Sequence, residues 1–224
     1  MIRVERAQPH EIEIDRGEVL RYLGCGKNCD DPTLIKTADE LIDKVSRSMM
    51  CIACYDTVPV ETSEDAVDFG FMKVESQSLS KNLKNCSAAY VFAATIGFAA
   101  DRIIQKYSLI SPLCAMAAQA AGAAAIEAWC DLLCTRLGEK SRAEHMYMRP
   151  RFSPGYGDFA LEHQREIFSF LDCARKAGIK LTDSLLMTPS KSVSAVIGLS
   201  KIDSGCAKQG CEVCAKADCV FRRR

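Results

Sequence analysis

The chain has 224 residues, 48% hydrophobic and 26% charged, enough to bury a sizeable core as one large domain or two small ones. Its 29 Lys and Arg balance 29 Asp and Glu, which excludes a net field favouring nucleic acid or a membrane surface. Residues 1–10 lack an apolar leader, and thirteen dispersed cysteines, an odd number, argue for a reduced cytoplasmic chain without a disulfide framework.

In chain order, residues 4–14 alternate like a strand, and Asp15 caps a short helix through Tyr22. A turn at 23–26 precedes a helix that starts at Asp31 and Pro32 and is predicted to reach about Cys54. Residues 58–60 and 66–74 read as strands, 79–83 as a short helix, and 88–96 as a fully buried strand. A helix over 97–108 leads to Ser111-Pro112, which opens the longest helix, predicted to stop at Gly138. That helix is Ala-rich, a device for close packing, and its Gln119, Glu127 and Asp131 argue against a membrane span. Residues 148–152 are extended. An amphipathic helix over 159–177 buries Leu161, Ile167, Phe168, Leu171 and Ala174 and ends at Gly178. Strands at 181–187 and 192–199 are predicted to pair as a hairpin around Pro189. Without strict βαβ alternation, or a glycine-rich nucleotide turn after an early strand, the pattern is α+β, with a mixed, mostly antiparallel sheet and flanking helices.

The chemistry concentrates at Arg151-Phe152-Ser153-Pro154-Gly155-Tyr156. Pro154 sets its own φ and pushes Ser153 toward extended conformations, while Gly155 admits a positive φ and a close ligand. Arg151 can hold a carboxylate by two parallel bonds, and Tyr156 can pack on a flat ring. The plain alternative is a structural turn whose arginine pairs with a nearby Asp or Glu.

With the downstream run Leu181-Thr182-Asp183-Ser184, Met187-Thr188-Pro189-Ser190 and Ser192-Val193-Ser194, this turn resembles the activation domain of cobalamin-dependent methionine synthase. The close likeness covers 147–198. The resemblance implies residues 1–200 as one activation-domain-like unit, with S-adenosylmethionine bound at Arg151, Ser153, Pro154, Gly155 and Tyr156. It further implies a reactivation protein for reductive methylation of cobalamin carried by a partner, a corrinoid-binding methionine synthase or related corrinoid protein. A flavodoxin or ferredoxin would be the electron donor. Two departures are visible: Gly157-Asp158 stands where the full-length enzymes usually have Pro-Ala, and no N-terminal acidic residue matches the one that binds the donor's amino acid end.

Residues 201–224 form a separate tail in which Cys206, Cys211, Cys214 and Cys219 read C-x4-C-x2-C-x4-C. Four thiolates so close suit an iron–sulfur cluster, structural zinc, or an unmetallated redox group. A cluster would make the tail an electron carrier, and the alternative function is such a carrier for other corrinoid proteins without S-adenosylmethionine binding. Cys25, Cys29, Cys51 and Cys54 are candidates for a second metal site. Cys86, Cys114, Cys130, Cys134 and Cys173 read as small buried hydrophobes. His10, His145 and His163 are scattered, and no catalytic constellation assembles, so the chain is expected to bind and orient rather than catalyse alone. Asp158 and Asp183 flank the motifs as candidate ligand contacts or caps.

Overall fold

The computed structural model describes residues 1–25 and 29–203. The four tail cysteines, Cys206, Cys211, Cys214 and Cys219, therefore lie outside the described residues. The chain opens with strand Arg3–Ala7 (β1) and turns at a 3-10 segment, Pro9–Glu11. The strand predicted to continue to residue 14 ends here because Pro9 has no N–H to donate to a ladder. Asp15 caps helix Arg16–Tyr22 (α1) with a 2.6 Å bond from Gly17 N. Asp31 caps Pro32–Ser48 (α2) with bonds from Thr33 N and Leu34 N.

The helix predicted to reach Cys54 stops at Ser48, and Met49 turns extended into strand Cys51–Pro59 (β2). Cys51, Ala53 and Tyr55 enter one core while Cys54 and Val58 enter the other. A strand that is apolar on both faces has no clean alternation, so its sequence imitates a buried helix. Glu61–Thr62 (β3), Ala66–Asp68 (β4) and Lys73–Glu75 (β5) form an antiparallel meander, so the single strand predicted at 66–74 is folded back on itself. Helix Gln77–Asn82 (α3) and strand Ala88–Thr95 (β6) follow, then Ala99–Ser108 (α4).

Helix Pro112–Ala143 (α5) runs past Gly138, which was expected to end it. Packing outweighs the glycine's cost of about 1 kcal/mol, because Leu137, Gly138 and Ser141 are buried and Ser141 Oγ donates to Tyr90 OH at 3.1 Å. Beyond lie Tyr147–Met148 (β7), Gln164–Leu171 (α6), Cys173–Lys176 (α7), Lys180–Leu181 (β8), Met187–Thr188 (β9) and Ser192–Ser200 (β10). The helix predicted over 159–177 is thus broken at Asp172, whose φ of 49° is left-handed. Leu161 lies in a 3-10 turn ahead of α6 and is exposed, and beyond the break the shifted register leaves Ala174 exposed and puts Cys173 inward. The predicted 181–187/192–199 hairpin does not form either. β8 pairs with β9, while β10 is drawn between β6 and β7, where its apolar residues are covered on both faces.

The main sheet has the order β1-β2-β6-β10-β7 and every pairing in it is antiparallel. The fold is therefore α+β, as read from the pattern. α1, α2, α4 and α5 cover one face around the wholly buried Trp129, whose Nε1 donates to Ile52 O at 3.4 Å. The meander, α3, α6 and α7 contribute to the core on the other face, centred on Phe69, Leu79, Leu83, Phe159 and Ile167.

Candidate functional site

The Arg-x-x-Pro-Gly-Tyr turn leaves the sheet at its β7 edge. Arg149 N donates to Gly198 O at 2.8 Å, and Phe152 and Val196 exchange two bonds of 2.9 Å, which pins the backbone on either side of Arg151 against β10. From there the Arg151 side chain, 18% exposed, reaches α5. Its Nη2 lies 3.1 Å from Glu127 Oε2 and 2.9 Å from Asp131 Oδ1. Both bonds leave from that one nitrogen, so they use neither Nη1 nor Nε.

Burial works against the charge of Arg151, but Cys130 and Cys134, then Glu127 and Asp131, outweigh it and raise its pKa. Burial also pushes both thiols upward, Cys134 to about 11, so at neutral pH they are uncharged and the carboxylates supply the counter-charge. Glu127 and Asp131 escape a sequence-only search for the site. Their signal was a pair of acids four residues apart on one face of an otherwise Ala-rich helix.

The turn itself is compact. Tyr156 N donates to Ser153 O at 3.1 Å, Phe159 N to Tyr156 O at 3.0 Å, and Gly155 N to Phe159 O at 2.7 Å. Gly155 has φ 92°, a region that only glycine enters cheaply. Pro154 is buried, whereas Tyr156 is 68% exposed. Below the turn Phe159 is buried, stacks on Phe152 with centroids 6.3 Å apart, and touches the His163 ring at 5.6 Å.

Asp158 is a cap. Its Oδ1 accepts from Ser76 Oγ at 2.5 Å and Ser78 N at 3.2 Å, and its Oδ2 from Gln77 N at 2.8 Å. These bonds, first that from Ser76, hold its pKa down at about 2. Asp183 contributes only its backbone oxygen, which accepts from Arg165 Nη2 at 2.9 Å. An open cleft of about 510 Å³ lies beside Asp158, lined by Ser63, Asp65, Lys73, Glu75 and Ser76 among others.

The second metal site suggested for Cys25, Cys29, Cys51 and Cys54 does not assemble. Cys51 and Cys54 stand three residues apart on a strand, which sends their side chains to opposite faces. Among the described residues no three His, Cys, Asp or Glu side chains gather as a metal site. Cys54 instead meets Cys173 in the second core, with sulfurs 3.8 Å apart. Of the cysteines expected to be buried, Cys86, Cys130 and Cys173 are, while Cys114 and Cys134 are partly exposed. Among the described residues one helix, α5, is long and apolar enough to cross a membrane, but 56% of its most apolar window is buried inside the fold, as in a core helix.

The structure is thus an antiparallel α+β domain with a cationic turn at one sheet edge, facing two carboxylates on a small-residue helix. The family model for the vitamin B12-dependent methionine synthase activation domain matches residues 80–204. The chain belongs to that family. Among solved structures it is similar to the MetH reactivation domain bound to AdoHcy, with a TM-score of 0.67 and 18% identity over 88% of this chain and 78% of that one. No curated protein matches it.

Proposed function

We propose that the chain is a reactivation module that binds S-adenosylmethionine and presents its methyl group to a corrinoid-dependent methionine synthase. The observation that carries this reading is the Arg151 turn standing at the sheet edge opposite Glu127 and Asp131. A free amino acid end carries one carboxylate and one ammonium. Arg151 matches the first, and the helix carboxylates that now share its Nη2 match the second. Along the turn Ser153 is half-buried and Gly155 exposed, with Pro154 buried beneath them, and Tyr156 offers an exposed ring. The similar solved domain is described as bound to AdoHcy, the demethylated form of this donor, which supports the assignment.

The corrinoid, held by the partner, supplies the nucleophile. This chain's residues bind the donor, orient its sulfonium and leave the methyl accessible, which requires no acid–base group. The tail cysteines Cys206, Cys211, Cys214 and Cys219 form a donor set suited to an iron–sulfur cluster, with zinc as the alternative metal. As part of this proposal, residues 201–224 act as a separate electron-carrying tail, fed by a flavodoxin or ferredoxin, in the cytoplasm. Anaerobically purified protein should then carry iron and acid-labile sulfide; their absence removes the electron-transfer role.

Calorimetry with S-adenosylmethionine tests the central reading. Wild type should bind, and Arg151→Ala should weaken binding at least about tenfold, the loss expected for one charge-assisted bidentate contact. Wild type that shows no binding defeats the proposal. It would favour the second reading, a reactivator or electron carrier for other corrinoid proteins in which Arg151 stays locked to Glu127 and Asp131.

A further inference from the structure

The exposed ring of Tyr156 forms no hydrogen bond or ring contact among the described residues. Where it stands therefore depends on the backbone beneath it, residues 153–159. The three bonds inside that turn shape it but do not tie it to the rest of the protein. Pro154 and Phe159 anchor it from below by burial. Its lateral position is set on the far side of Tyr156 by Asp158, whose carboxylate takes the amides of Gln77 and Ser78, the first two residues of α3, and the hydroxyl of Ser76.

Ser76 is 2% exposed and is itself held from three directions. Its N donates to Asp65 O at 2.8 Å, its Oγ accepts from Leu79 N at 3.0 Å, and the same Oγ donates to Asp158. The clamp thus runs from the turn through Ser76 to the meander. It also needs close approach: a Cβ added at Gly157 would lie 3.0 Å from Ser78 Oγ, on a residue with φ 56°.

We propose that Asp158 is a positioning residue for the ligand turn. By clamping it to Ser76 and the start of α3 it sets the placement of Tyr156 and of the Gly155 backbone against the bound donor. This rests on the reading of the turn as the S-adenosylmethionine site. Asp158 touches no ligand itself; its effect passes through the turn.

The test joins ligand affinity to a measurement on the ligand-free protein. By calorimetry, Asp158→Ala and Ser76→Ala should each weaken S-adenosylmethionine binding about tenfold, and the double variant should be no weaker than either single one, since both open the same clamp. Asp158→Asn keeps one acceptor oxygen and should recover part of the loss. In ligand-free protein, amide exchange at Gly155 and Phe159 should accelerate in Asp158→Ala while that of β6 stays unchanged. Additive losses, or full affinity in both single variants, overturn the proposal. If wild type binds no S-adenosylmethionine the functional reading fails, and the exchange data still decide the clamp: unchanged Gly155 and Phe159 exchange overturns it, and faster exchange supports it.

Discussion

On one face of the main sheet α5 packs closely because Ala117, Ala118, Ala121, Gly122 and Ala125 present almost no side chain. On the other face the meander, α3 and the 153–159 turn lie over a smaller core, and polar atoms join them: Asp158 to Ser76, Ser76 to Asp65, Ser80 Oγ to Ser63 O. The first face is held by apolar area, which is strong and undirected. The second face adds directional bonds, each contributing only about 1 kcal/mol net. The scaffold and the positioning device are thereby separate, and the ligand turn lies where the two meet, with Arg151 facing α5 and Asp158 facing α3.

The largest expected effect tests the first face. Trp129→Ala removes the largest wholly buried side chain and should destabilise the protein by about 3–5 kcal/mol in urea unfolding. A loss below about 1 kcal/mol would mean that the helical face is not the main source of stability. A much smaller effect tests the second face. Asp158 has a folded pKa of about 2, below its ordinary value, so its contribution is complete above about pH 4 and is lost as pH falls through about 2. The Gln77 and Ser78 amide shifts should titrate with that low midpoint, and Asp158→Asn should abolish the titration. Shifts that titrate near pH 4 instead would show that the carboxylate is not clamped in solution.

Which parts of this comparison were legible in the sequence follows from the range of the forces involved. Asp15, Asp31 and Ser111 cap helices where the pattern placed them, because a cap is a contact within three residues. The buried strand at 88–96 was equally plain, since its length and composition suit a strand covered on both faces. The first four residues of β2 imitate a helix because the pairing that makes them a strand comes from β1 and β6, up to 50 and 43 residues away in register, whereas the end of β2 at 58–59 reads as strand from the sequence. The 159–177 helix and the 181–199 hairpin failed for a similar reason: Asp172 breaks the first, and distant β6 outcompetes the local partner for β10.

For the candidate site, the sequence alone determined the turn, since Pro154 and Gly155 constrain their own dihedrals whatever surrounds them. The same local chemistry carried the family resemblance that the matching family model bears out. Only the tertiary structure decided what the turn faces. Glu127 lies 24 residues before Arg151, and Ser76 lies 82 before Asp158. Such partners meet because α5 and α3 pack on opposite sides of one sheet, and that packing is a property of the whole apolar core rather than of any short stretch of chain.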